Sequence, residues 1–430
     1  MALTNKKFLF AFIMITSLFF LWGFVHNFNP VLIPHLKRSF TLSTTQSTLI
    51  DTAVYAAYFL MAIPAGLLMK RFGYKTGIIT GLMIFATGAF LFIPAANFQS
   101  YTFFLAALFI IACGLTMLET AANPYASALG DASTAPMRLN FSQSFNGLAA
   151  ALAPAIGVRV ILTETHTDAE LAAMTEAARS AALASEASSV KIPYLILGSV
   201  LVLVAVIFAF LKLPKINQEA SHLSSGDAAN PENDSVQGGA PAVRGSIFTA
   251  FRHRHLKWAV VAQFFYVGAQ VCVFSMFLLY APASAGITQA QAGDFLFICG
   301  MAFLAGRFIG TAIMQFIEAR KLLMMYAIIS ILLSFIAIFA TGMITVYTVI
   351  GICFFMSIMF PTIFALGIRD LKQDTEFGSS LIIMSIVGGA LLPLLFGLIT
   401  DITGNVQLAY FVPLVCFAVV WYFGWKGAKQ

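Results

Sequence analysis

Charge is what this chain has least of. Only 10% of its 430 residues are Asp, Glu, Lys or Arg, against 60% hydrophobic, too little polar surface to coat a water-soluble globule of this length. Cysteine is scarcer still, with 5 residues. Cys113, Cys272, Cys299, Cys353 and Cys416 lie far apart in apolar runs without metal-ligand spacing, which excludes a disulfide framework and a zinc site. The 6 histidines (His26, His35, His166, His222, His253 and His255) form no intramembrane cluster. There is no phosphate-cradling glycine loop and no nucleophile elbow, so an enzyme is the first function class to fall away and no cofactor is expected.

What fills the chain is long apolar runs, with a mean hydropathy of +0.89. A hydrocarbon core about 30 Å thick needs roughly 20 apolar residues per helical span, and about twelve runs of that length occur. They fall near residues 8–35, 44–69, 75–97, 101–129, 137–162, 192–213, 255–282, 289–316, 320–343, 345–370, 377–403 and 406–427. The fold class expected is an all-α integral membrane protein. Lys6 and Lys7 before the first run imitate a signal peptide, but no small-x-small cleavage site follows, so this run reads as span 1.

Cationic residues in short loops are retained on the cytoplasmic side. With the N-terminus inside, that side holds Lys6, Lys7, Lys70, Arg71, Lys75, Arg138, Lys212, Lys215, Arg244, Arg252, Arg254, Lys257, Arg320, Lys321, Arg369, Lys372, Lys426 and Lys429, and only Lys37, Arg38, Arg159, Arg179, Lys191 and Arg307 fall elsewhere. Both termini are then cytoplasmic, in a bacterial inner membrane. Topology accounts for the net charge of +6 and removes the need for a nucleic-acid partner.

A polar stretch rich in Ser, Gly, Asn and Pro divides the spans into six and six. The domains expected are 1–213, a cytoplasmic linker 214–250, and 251–430, with a periplasmic insertion at 163–191. A shift of 237 residues lays Pro124-Tyr-Ala-Ser-Ala-Leu-Gly130 on Pro361-Thr-Ile-Phe-Ala-Leu-Gly367, one of 239 lays Ala150–Pro154 on Gly389–Pro393, and one of 245 lays Phe19–Gly23 on Phe264–Gly268. Repeated halves of like topology are a transporter arrangement with the substrate at mid-membrane between them.

Of the 18 carboxylates, only Asp51 and Glu119 stand well inside apolar spans. An ionisable group in hydrocarbon costs at least about 2.5–3.5 kcal/mol, so each normally faces a cavity and marks a solute or ion path; the alternatives are a packing bond to neighbouring helices for Glu119 and, for Asp51 about 10 Å below the outer end, wetting by an outer vestibule. Buried carboxyls suit proton coupling, since desolvation favours the neutral form. Sodium is the other candidate ion, with Asp51, Glu119, Thr120, Thr52 and Asn123 as oxygen ligands. Neutral polar side chains recur on several spans: Asn27 and Asn29 on span 1, Gln143 and Asn146 on span 5, Gln263, Tyr266 and Gln270 on span 7. Amides donate and accept at once, as sugar hydroxyls require, and Trp22 and Tyr266 offer apolar faces to a ring. Each of these also has an interhelical bonding role open to it. Arg307 and Arg159 are intramembrane cations; facing the cavity, either would read an acidic sugar, and otherwise they pair with backbone or snorkel.

The loop Gly66-Leu-Leu-Met-Lys-Arg-Phe-Gly-Tyr-Lys75 resembles the signature of the major facilitator superfamily, with Lys70 in place of its acidic residue. A closer resemblance is to the fucose permease type of sugar:proton symporter. It is carried by Leu118-Glu-Thr-Ala-Ala-Asn-Pro124, Arg138-Leu-Asn140 with Gln143 and Phe145-Asn146, Ala262-Gln-Phe264 with Tyr266–Gln270, Phe360-Pro-Thr-Ile-Phe364, and Gln373-Asp-Thr375 with Gly378-Ser-Ser380. The resemblance implies twelve helices in two bundles, Glu119 as the central acid of span 4, and Gln143 and Asn146 in a sugar cavity. The family's span 1 carboxylate aligns at Pro30, and Asp51 is a candidate replacement.

The function expected is import of a monosaccharide or close derivative by proton- or sodium-coupled symport with alternating access. The protein works as a monomer in the lipid bilayer, with a small sugar as its partner. A drug or metabolite exporter of the same fold is the alternative, and a membrane sugar sensor a more distant one.

Overall fold

The computed structural model describes residues 3–26, 44–98, 100–161, 174–176, 178–179, 182, 191–214 and 246–428. Most of the 163–191 insertion and nearly all of the 214–250 linker lie outside them, as do the side chains of residues 25–26, 44–51, 151 and 154–161.

The described residues trace twelve spans and no strand. Ten stretches are long and apolar enough to cross a bilayer; Thr52–Asn97, at 46 residues, contains two spans, and Ala135–Ile161 supplies the remaining one. Span 1 is α1 (Leu9–His26). Spans 2 and 3 are the arms of α2 (Thr44–Asn97), span 4 is α3 (Tyr101–Ala128), span 5 is α4 (Ala135–Ile161) and span 6 is α5 (Lys191–Phe210). After the short α6 (Ile247–Ala250), span 7 is α7 (Arg254–Ser275) continued by α8 (Phe277–Ala285). Span 8 is α9 (Gln289–Ile313) and span 9 is α10 (Ala319–Phe339). Span 10 is α11 (Met343–Met356) with α12 (Met359–Gly367), span 11 is α13 (Thr375–Met384) with α14 (Gly388–Thr403), and span 12 is α15 (Phe411–Tyr422).

The boundaries follow local chemistry. The turn between spans 2 and 3 is made at Gly73, whose φ of 82° is open to glycine at little cost. Span 4 ends before Asp131, whose carboxylate accepts from the Ser133 hydroxyl at 2.6 Å and amide at 2.8 Å; these bonds hold its carboxyl below the ordinary range. Spans 7, 10 and 11 are each broken inside the bundle, which hydrophobic runs alone do not reveal. The break in span 10, at Ser357 and Ile358, precedes Pro361, which has no N–H for the Ser357 carbonyl four residues back.

Alternation of the spans collects Lys70, Arg71, Lys75, Arg138, Arg252, Arg254, Arg320, Lys321, Arg369 and Lys372 at one end of the molecule, the basic end. Arg138 does not face headgroups there. It is fully buried and donates to the carbonyls of Ala126, Ser127, Asp131 and Leu3 and to the Thr134 hydroxyl, satisfying the end of span 4. Lys75 does the same for span 6, donating to the Ala209 carbonyl at 2.7 Å.

Spans 3 and 4 pack backbone to backbone. A Cβ on Gly114 would stand 2.5 Å from the Phe85 nitrogen and 2.7 Å from the Gly81 carbonyl oxygen, the small-residue contact by which membrane helices gain packing energy. Among the cysteines, Cys299 of span 8 and Cys353 of span 10, distant in sequence, meet as free thiols in the core. Across the two sets of six, spans 2 and 4 touch span 11, and span 5 touches spans 8 and 10.

Gly114→Ala is predicted to lower the thermal midpoint of the purified protein in detergent. Overpacking of this kind costs about 1–3 kcal/mol, and an unchanged midpoint would contradict the span 3–span 4 contact.

Candidate functional site

Span 4 carries the central group. Glu119 is half-buried, and its carboxylate accepts a hydrogen bond from the Tyr58 hydroxyl of span 2 at 2.9 Å. One turn onward, Asn123 is fully buried and its side-chain oxygen accepts from the Gln143 amide of span 5 at 3.0 Å, while its own amide nitrogen has no partner among the described residues. Gln143 is therefore held side chain to side chain against span 4. Its backbone carbonyl accepts from Arg307 of span 8 at 2.6 Å.

Arg307 is 5% exposed. Its Nε donates to the Ser357 carbonyl at 3.0 Å, the group that Pro361 leaves without a helical donor, and its guanidinium lies over the Phe303 ring, 4.6 Å from the centroid. Two carbonyls and a ring occupy the arginine, so these contacts serve helix joining and not the reading of an acidic solute. Arg159 lies in α4 with its side chain outside the described set.

Two more bonds close the same region. The Asn140 amide of span 5 donates to the Thr362 hydroxyl of span 10 at 3.0 Å, and the Ser379 hydroxyl of span 11 donates to the Thr120 carbonyl of span 4 at 2.8 Å. All of these residues lie in the halves of their spans nearer the basic end. That end is closed.

The other sequence-derived candidates divide. Asn146 is half-buried, so close to span 1 that a Cβ on Gly23 would stand 2.7 Å from its amide nitrogen. Gln263 is fully buried with neither amide atom bonded among the described residues, and the Tyr266 hydroxyl one turn later is likewise buried and unbonded among them, its ring edge-on to Phe360. Gln270 is half-buried. Trp22 departs from the expectation of an open ring face: it is 1% exposed and packs on Phe19 at 4.2 Å, because span 1 turns it into the core of spans 1–6. Thr120 points its hydroxyl at the Thr116 carbonyl of its own helix, 2.7 Å away. Thr52 is exposed. Asn27, Asn29 and the side chain of Asp51 lie outside the described residues, and among those described no three of His, Cys, Asp or Glu cluster as metal ligands.

Sequence reasoning did not single out Tyr58, Thr362 or Ser379. Tyr58 had a signal: Asp51, Tyr55 and Tyr58 follow i, i+4, i+7 and share one face of span 2. Ser379 was visible only as part of a motif.

Comparison with known proteins sets this geometry in context. A sequence profile of the Major Facilitator Superfamily matches residues 9–380. The chain is 40% identical over 422 residues to an L-fucose-proton symporter of Escherichia coli K12, covering 97% of this chain and 93% of that one. It is 39% identical over 429 residues to a glucose/galactose transporter of Brucella abortus, covering 99% and 96%. Among solved structures, a major facilitator transporter, FucP, in the outward conformation superposes with a TM-score of 0.88 at 38% identity, covering 99% of this chain and 100% of that one.

Arg307→Lys is predicted to destabilise the protein, because an ammonium cannot span both carbonyls. Each bond to a charged donor is worth about 1.5–3 kcal/mol, and a thermal midpoint in detergent equal to wild type would show that the guanidinium does not join the spans.

Proposed function

The chain belongs to the major facilitator superfamily, and from that premise we propose that it imports a monosaccharide by proton symport with alternating access. The observation that carries the reading is Glu119: a carboxylate inside span 4, set against Tyr58 and one turn from the Asn123–Gln143 pair. The relatives named as glucose/galactose and fucose transporters point to neutral hexoses as the substrate class.

The basic end is cytoplasmic in this reading, with both termini there, and the closed basic end makes the state outward-facing. Positive-inside retention supports the orientation. Sugar reaches Gln143 and Asn146 from the outside, and the unbonded amides of Asn123 and Gln263 and the Tyr266 hydroxyl supply further donors and an acceptor as spans 7–12 close on it. Domains 1–213 and 251–430 move as two bodies joined by the linker, and one copy of the chain suffices.

Coupling follows from desolvation. Occluding an ionised carboxylate removes it from water at a cost that one tyrosine donor, Tyr58, does not offset, whereas the protonated acid is cheap to bury. Closure is then favoured when Glu119 is protonated and sugar fills the polar cavity. Release to a less acidic cytoplasm resets it. A proton fits this better than sodium because the Thr120 hydroxyl is turned to its own helix and the Asn123 oxygen is engaged by Gln143. No cofactor takes part.

The test is uptake of labelled glucose, galactose and fucose into proteoliposomes under an imposed proton or sodium gradient. Proton-driven accumulation of at least one hexose is expected. Glu119→Gln should abolish accumulation while retaining sugar exchange. Accumulation under sodium alone would replace the proton, and accumulation of none of the three under either gradient would sink the reading.

A further inference from the structure

The seam at the basic end rests on two carbonyls freed by two prolines. Pro124 lies inside span 4 and Pro361 near the start of α12 in span 10, at equivalent places in the 237-residue repeat. Neither has an N–H, so the carbonyls of Thr120 and Ser357, four residues before them and again 237 apart, lose their helical donors. In hydrocarbon a backbone carbonyl without a donor is costly, and both are supplied from elsewhere. The two solutions differ. Ser357 takes its bond from Arg307, within the C-terminal six spans, whereas Thr120 takes its bond from Ser379, across the seam. Span 11 also approaches span 2 there: a Cβ on Gly66 would strike the Ser380 hydroxyl and the Glu376 carbonyl, and Lys70 lies over Phe377.

We propose that Ser379 is a positioning residue for alternating access: its hydroxyl satisfies the Pro124-freed carbonyl of Thr120 only while the basic end is closed, and so holds that end shut beside Glu119. The Arg307–Ser357 bond persists in either state because both partners move together. The Ser379–Thr120 bond cannot persist, since its partners belong to opposite sides of the seam. When the basic end opens, water enters and hydrates the Thr120 carbonyl, so the bond stabilises the closed state selectively. Thr120 adjoins Glu119 in the chain, so the backbone that carries the carboxylate is tied to span 11 when the end is shut and released when it opens. This deepens the alternating-access reading and rests on it.

The test reads the seam directly and needs no sugar. Spin labels on cysteines at Arg71 and Lys321, exposed basic-end positions on opposite sides, in a cysteine-free background, report the ratio of short to long distances in detergent. Wild type is expected to favour the short distance. Ser379→Ala should shift the ratio toward the long distance by roughly 5- to 150-fold, the range for one buried acceptor left unsatisfied, and Ser379→Thr, which keeps a hydroxyl, should restore it. In a Pro124→Ala background the new amide satisfies Thr120 within the helix, and Ser379→Ala should then shift the ratio less than about twofold. An equal shift with and without Pro124, no shift at all, or failure of threonine to rescue would overturn the proposal. Should Pro124→Ala not fold, the alanine–threonine comparison decides alone. Failure here leaves hexose uptake untouched, and failure of hexose uptake leaves the distance ratio untouched.

Discussion

A lipid solvent offers no hydrogen bonds, and a chain that breaks its own helices inside one must repair the breaks with its own atoms. Pro124 and Pro361 make that demand at matching points of the two repeats, and the answers, Ser379 and Arg307, bring spans 4, 8, 10 and 11 to the centre of the molecule. The rest of the interior obeys the same rule more cheaply. Thr116, Thr120, Ser127, Ser144, Thr311, Ser330 and Ser334 all return their hydroxyls to the carbonyl four residues back, so these polar residues cost the bundle no tertiary partner. Against that background the exceptions stand out. Among the described residues the amide nitrogen of Asn123, both ends of Gln263, the hydroxyls of Tyr266 and Tyr410, the Asn140 side-chain oxygen and the Arg369 Nε are buried and unbonded; on the transport reading a sugar completes those of Asn123, Gln263 and Tyr266.

The energy scale of the seam suits a switch. Each neutral bond is worth about 0.5–1.5 kcal/mol net, and one from a charged donor about 1.5–3 kcal/mol. Arg307–Gln143, Asn140–Thr362 and Ser379–Thr120 together amount to a few kcal/mol, enough to favour one state and small enough for a ligand with differential affinity to overturn. A seam of packed aliphatic side chains would give no such balance, because opening it would expose apolar surface to water in the vestibule. The small polar groups found here exchange protein partners for water at little net cost.

Much of this was legible in the sequence, and for identifiable reasons. The spans could be read because each needs roughly 20 apolar residues, and Glu119 could be read because a carboxylate so deep has few bland explanations. Gln143 could be read as one of several intramembrane amides and was singled out by family resemblance, and the structure adds its bond to Asn123. The breaks in spans 7 and 11 left no mark in a hydropathy pattern. The bonds that close the basic end join residues 164, 222 and 259 positions apart, and no local periodicity encodes such pairings. Trp22 went the other way: an aromatic flanked by Phe19 on a cavity-lining helix reads as a sugar platform until its rotation about the helix axis is known.

Pro30 stands where the resemblance to fucose permeases implies a span 1 carboxylate, and the register of span 2 bears on what faces that region. Tyr58 meets Glu119, and Tyr55, one turn earlier, packs against span 11 where a Cβ on Gly389 would stand 2.8 Å from its hydroxyl oxygen. These two fix which face of span 2 looks into the seam. Position 51 is one turn further along the helix from Tyr55 and about 10 Å along the axis from Tyr58, so by register it falls on the same face of span 2.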